Sequence, residues 1–109
     1  MSNLKQLATQ YFETFSNKDV DGLAELFADN IIVRDWEINS QGKIDVLATN
    51  KSIFDRVDTI TVTPLALYED GNTVSAEIEV LINNDLKLLV VDVITFENNK
   101  ISSLRAYKG

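Results

Sequence analysis

Three polar side chains of this chain fall in apolar settings, and they stand far apart in sequence: Tyr11, Asp35 and Asp92. Asp92 is the most telling. Leu86 to Phe96 reads as a β-strand, and with alternate residues on opposite faces one face carries Leu86, Leu88, Val90, Asp92, Ile94 and Phe96. A carboxylate set in an apolar wall loses hydration, which penalises its charged form and raises its pKa. Such an acid is either a structural group with a fixed partner or a functional one kept protonated to donate a hydrogen bond. Tyr11 falls on the apolar face of an N-terminal helix among Leu7, Ala8 and Phe15, as a core tyrosine does when its hydroxyl reaches a partner. Asp35 shares a strand face with Ile31 and Val33, near a strand end where aspartates also serve as turn residues.

Composition narrows the chemistry these groups can do. The chain has no histidine and no cysteine. Serine–histidine and cysteine–histidine nucleophilic systems are therefore excluded, and a zinc site lacks its nitrogen and sulfur ligands. Any acid–base work falls to Asp, Glu, Tyr and Lys at shifted pKa values, with no metal and no cofactor expected. A net charge of −7 argues against nucleic acid and against anionic membrane surfaces. The N-terminus shows no signal peptide, and no apolar run approaches the ~20 residues that span a bilayer, so a cytoplasmic protein is expected. At 109 residues, the chain is read as one domain, 1–109.

The elements that must position these groups follow from periodicity. Leu4, Leu7, Ala8, Tyr11, Phe12 and Phe15 predict an amphipathic helix over about 3 to 16, with Ser2 or Asn3 as cap. Asp19 caps a second helix carrying Val20, Leu23, Leu26 and Phe27 and ending near 28–30. A short strand over 31–36 and a turn over 39–42 precede a third helix over about 43–56, with Ile44, Leu47, Ile53 and Phe54 turned inward. Four strands follow, over 59–68, 73–82, 86–96 and 100–107, and Asp70-Gly71 marks a tight hairpin between the first two. Pro64 implies a sheet edge or a bulge. Helices first and an antiparallel meander afterwards define an α+β protein, its helices packed on one face of a curved sheet. Leu89, Val91 and Val93 make the opposite face of the Asp92 strand apolar as well, which predicts that a second copy covers it as a homodimer.

The chain resembles the ketosteroid isomerase branch of the SnoaL-like, NTF2-like superfamily. The likeness lies in the run from Tyr11 to Asp35, with Asp19, Leu26-Phe-Ala-Asp-Asn30 and Val33-Arg-Asp35, and in the closing hairpin Val91-Asp-Val-Ile-Thr-Phe96 and Lys100 to Tyr107. The resemblance implies an NTF2-like cone: three N-terminal helices on a curved mixed or antiparallel sheet that encloses a pocket. It implies Asp35 as the general base that carries a proton between two carbons, and Tyr11 and Asp92 as the donors of an oxyanion hole. Phe15, Phe54, Ala76, Ile78, Val80 and Leu104 become the candidate walls for a small apolar substrate. The sequence departs from the family at Trp36, where the isomerases usually have proline, and at Phe27, where the fullest networks have a supporting tyrosine.

Two functions fit this reading. One is a cofactor-independent isomerase that shifts a double bond next to a carbonyl. The other is a non-catalytic module on the same cone, holding a small apolar ligand or serving as a dimerisation scaffold. The second predicts an ionised Asp92 paired with Arg34, Arg105 or a backbone donor.

Overall fold

A computed structural model describes residues 3–109. The elements run α1 (Leu4–Ser16), α2 (Val20–Leu26), β1 (Phe27–Arg34), β2 (Asn39–Gln41), α3 (Lys43–Arg56), β3 (Ile60–Asp70), β4 (Thr73–Ile82), β5 (Leu86–Glu97) and β6 (Lys100–Lys108). The strands form one sheet in the order β2-β1-β6-β5-β4-β3. Strand β1 lies parallel to β6, while the other neighbours are antiparallel, so the sheet is mixed. The α+β architecture expected from the sequence is the one observed.

The apolar stripe of α1 buries Ala8, Tyr11 and Phe12 against the sheet. Ser16 Oγ accepts the Val62 amide at 2.8 Å and pins the end of this helix to β3. Asp19 caps α2 by accepting the Gly22 amide at 3.0 Å. A Cβ on Gly22 would lie 2.5 Å from Asp19 Oδ2 and 2.8 Å from Thr14 Cγ2, so a side chain here would have to displace the Asp19 cap. Between the two helices, Lys18 sends Nζ to the carbonyls of Phe54, Val57 and Asp58 at 3.0, 2.6 and 3.0 Å. The last carbonyls of a helix have no partner within it, and this ammonium supplies partners around the end of α3. Asn3 stands at the α1 N-cap without a side-chain hydrogen bond. Ser2, the other candidate cap, lies outside the described residues.

Three local expectations are corrected. The second helix stops at Leu26, and Phe27 is already extended (φ −88°, ψ 139°), because it is buried and pairs with Ile101 on β6. The turn expected at 39–42 comes earlier: Asn39–Gln41 form β2, which pairs antiparallel with β1 around a tight turn at 35–38. Ile44 is not an inward residue but 88% exposed. The buried face of α3 runs through Val46, Asn50 and Phe54 at four-residue spacing, and Ile44 points away from it.

The meander is built as expected, with Gly71, Asn83, Asn84, Asn98 and Asn99 at positive φ in its tight turns. Pro64 sits on the edge strand β3 beside a register shift, where a missing amide is tolerated. The alternation puts Val74, Ala76, Ile78 and Val90, Asp92, Ile94 on the helix side. Among the described residues, the other side of the sheet exposes Ile32, Tyr68, Leu89, Val91 and Tyr107.

Candidate functional site

Register places Asp92 opposite Ala76 on β4 and Ala106 on β6, midway along the concave side of the sheet. Two small neighbours leave room in front of it. The space between that surface, α1 and α3 is a cavity of about 180 Å³. Tyr11 and Phe15 of α1, Asn50 and Ile53 of α3, Val33 of β1 and Leu104 of β6 line it, together with Ile60, Val62, Ile78, Val80, Ile82, Leu88 and Val90 of the meander. Asp35, Trp36 and Ile38 come from the turn after β1. The structure thus brings Tyr11, Asp35 and Asp92 from a helix, a turn and a strand to one largely apolar chamber.

Their electrostatics follow from that chamber. Asp92 is 8% exposed and makes no hydrogen bond or ion pair within the described residues. Burial is the main cause and the nearby Asp35 carboxylate the second, and together they raise its pKa from 3.8 to about 7. Tyr11 is raised well above the ordinary phenol value, first by burial and then by Asp92 and Asp35, so its hydroxyl stays protonated. That hydroxyl also has no hydrogen-bond partner among the described residues; its ring packs on Phe12, Phe15 and Phe27 with centroids 5.4, 5.9 and 6.1 Å away. Buried polar groups are nearly always hydrogen-bonded, and leaving one without a partner costs about 1–3 kcal/mol. The polar atoms of Tyr11 and Asp92 are not sealed in that way: both open onto the same cavity, where a ligand or water can reach them.

Asp35 is held differently. Its Oδ1 accepts the amides of Glu37 and Ile38 at 2.7 and 2.6 Å, and its own amide donates to Ile38 O at 2.9 Å. The side chain therefore closes the β1–β2 turn, and the turn in turn fixes the carboxylate beside the cavity. The ionised Asp92 pair foreseen for a non-catalytic module is absent from the described residues. Arg105 lies opposite Val93 and so faces the outer side of the sheet, while Arg34 donates to the Tyr107 hydroxyl at 3.3 Å.

Among the candidate wall residues, Phe15, Ile78, Val80 and Leu104 line the cavity. Phe54 and Ala76 do not, which corrects their assignment. Phe54 packs edge-on behind Phe15 with centroids 4.9 Å apart, and Ala76 is fully buried as the floor beside Asp92. Asn50 and Trp36 were missed. Asn50 was findable from its four-residue spacing to Val46 and Phe54, but hydropathy favoured Ile44 and Leu47. Trp36 lines the cavity while 43% exposed, so it stands at the rim, with Lys108 Nζ 5.6 Å from its ring centroid. No cluster of histidine, cysteine or carboxylate side chains able to hold a metal ion occurs among the described residues.

Helices laid on a curved mixed sheet with a chamber between them define the NTF2-like cone, and comparison with known proteins bears this out. The family model described as "SnoaL-like domain" matches residues 8–104, and the chain belongs to that family. No curated protein matches the sequence. Similar solved structures include a putative ketosteroid isomerase from Kribbella flavida, with a TM-score of 0.83 and 20% identity over 95% of this chain and 76% of that one. A putative polyketide cyclase from Sinorhizobium meliloti matches with a TM-score of 0.85 and 20% identity over 97% and 99% of the two chains. An epoxide hydrolase of the LEH-like type from M. tuberculosis gives 0.83 and 17% over 95% and 80%. At such identities these likenesses speak to the fold.

Proposed function

We propose that the chain is a cofactor-independent enzyme of the ketosteroid-isomerase-like type, moving a proton between two carbons next to a carbonyl. The observation that carries this reading is the pair of unpartnered buried groups, Tyr11 and Asp92, facing the cavity that Asp35 borders. Removing a proton beside a carbonyl builds negative charge on the oxygen. A neutral phenol and a protonated carboxyl, both already in place, stabilise that charge without reorganising. The raised pKa of Asp92 keeps it protonated up to near neutrality. Asp35, oriented by two amides, is the base: it takes the proton from one carbon and returns it to another. The apolar wall excludes water that would compete for the enolate.

A substituted phenol tests the site directly, since its ionised form mimics the enolate. Binding is expected to tighten in Asp35→Asn, which removes a repelling charge, and to weaken in Tyr11→Phe and Asp92→Ala. Turnover of a β,γ-unsaturated ketone should be lost in Asp35→Asn. Phenols that bind none of these proteins would make Asp92 a structural acid. The second reading, a non-catalytic binding module, draws on the turn-closing role of Asp35, and phenol binding without turnover would favour it.

The same reading includes a homodimer through the outer sheet face. That face exposes Leu89, Val91 and Tyr107, and it carries acids on β4 (Glu77, Glu79) and arginines on β1 and β6 (Arg34, Arg105). Among the described residues, Arg105 Nε has no hydrogen-bond partner. A second copy related by a two-fold axis lays acids over arginines on both sides and covers the apolar strip between them.

A further inference from the structure

The cavity holds a third polar group with no partner. Asn50 is 8% exposed, lies on the buried face of α3, lines the cavity, and makes no hydrogen bond within the described residues. An amide carries two donors and an acceptor, and those of Asn50 open onto the cavity, free for whatever occupies it. It comes from α3, a different element from the α1 and β5 residues that supply Tyr11 and Asp92. With Tyr11 and Asp92 assigned to one ligand atom, Asn50 has hydrogen-bonding capacity left for a second polar atom.

Size sets a further limit. A cavity on the order of 150 Å³ holds a single benzene ring. The present one is about 180 Å³, bounded by Phe12, Phe15, Ile53, Val62 and Leu104 among others. A fused multi-ring body would have to extend past Trp36 at the rim into solvent.

We infer that the ligand of this site is a compact carbonyl compound of about one ring's size that bears a second hydrogen-bonding substituent, recognised by Asn50. This inference rests on the isomerase-type reading above and names the class of compound that reading would act on. Asn50 is on this account a specificity-determining residue; the chemistry stays with Tyr11, Asp35 and Asp92.

Calorimetric titration with four phenols separates the possibilities: 4-methylphenol, 3-hydroxymethylphenol, 4-hydroxymethylphenol, and equilenin, a fused four-ring phenol. Wild type and Asp35→Asn are expected to bind the single-ring compounds more tightly than equilenin. In Asn50→Leu, the better-bound hydroxymethylphenol should lose about 3- to 10-fold in affinity, the worth of one neutral hydrogen bond, while 4-methylphenol is unchanged. Asn50→Ser, a smaller polar replacement, should fall between, and both variants are compared by thermal melting to show that they are folded. Tighter binding of equilenin, or equal losses for both single-ring phenols in Asn50→Leu and Asn50→Ser, would overturn this inference and leave the oxyanion site standing. Absence of binding by every phenol to every protein would overturn both.

Discussion

Asp92 shows most clearly how a single residue reports on its surroundings. Its carboxyl is expected to titrate near 7 by carbon-13 NMR, and Asp35→Asn should lower that value only in part, because burial is the larger cause. Folding is linked to the same proton. Between about 3.8 and 7 the native state holds a proton that the unfolded state has released, so stability falls as pH rises through that window. The stabilisation by protonated Asp92 is complete below the lower value and gone above the upper one, at about 1.4 kcal/mol per pH unit in between. Urea unfolding of wild type and Asp92→Asn should therefore diverge with pH, the variant gaining on wild type from pH 4.5 to pH 8. Parallel pH profiles would place the Asp92 carboxyl in contact with water. Phenolate affinity should weaken as pH rises through about 7, where the folded protein loses the donor proton.

At the level of elements, the site depends on joints that are not part of it. Lys18 binds the carbonyls at the end of α3 from the turn between α1 and α2, so a single ammonium fixes how the helices close over the sheet. Lys18→Met is expected to cost about 1–3 kcal/mol in urea unfolding, with the larger part of the loss in α3 protection by hydrogen exchange. Gly22→Ala puts a methyl into the Asp19 cap and should cost about 1 kcal/mol or more; an unchanged urea midpoint would show that the cap relaxes freely. Much of this level could be read in the sequence. The amphipathic stripe of α1, the Asp19 cap and the Asp70-Gly71 turn are local, and local chemistry decides them. The α2–β1 boundary was misplaced because Phe27 obeys its pairing with Ile101, a residue far along the chain. Ile44 was misplaced because hydropathy counts apolar residues, whereas the helix docks by a face that includes Asn50.

The whole molecule adds what no element holds alone. The outer sheet face makes a concrete claim about assembly: wild type should sediment as a dimer, and Leu89→Glu or Val91→Lys should shift it to a monomer. A wild-type monomer at tens of micromolar would leave that face uncovered and the two-fold reading without support. Sheet curvature also matters at this scale, since Asp92 between Ala76 and Ala106 faces a chamber only because the helices bridge the concave side instead of filling it.

The sequence by itself determined the α+β order of elements, the parity that sets Asp92 in an apolar wall, and the absence of any histidine or thiol to do the chemistry. These are local or compositional facts, and period-2 alternation needs no knowledge of the partner strand. Only the tertiary structure decided that Tyr11, Asp35 and Asp92 share one cavity, that neither arginine reaches Asp92, that Phe54 and Ala76 stand behind the wall, and that Asn50 stands in it. Each of those depends on the distance between residues remote in the chain, and that distance is set by strand register and helix docking.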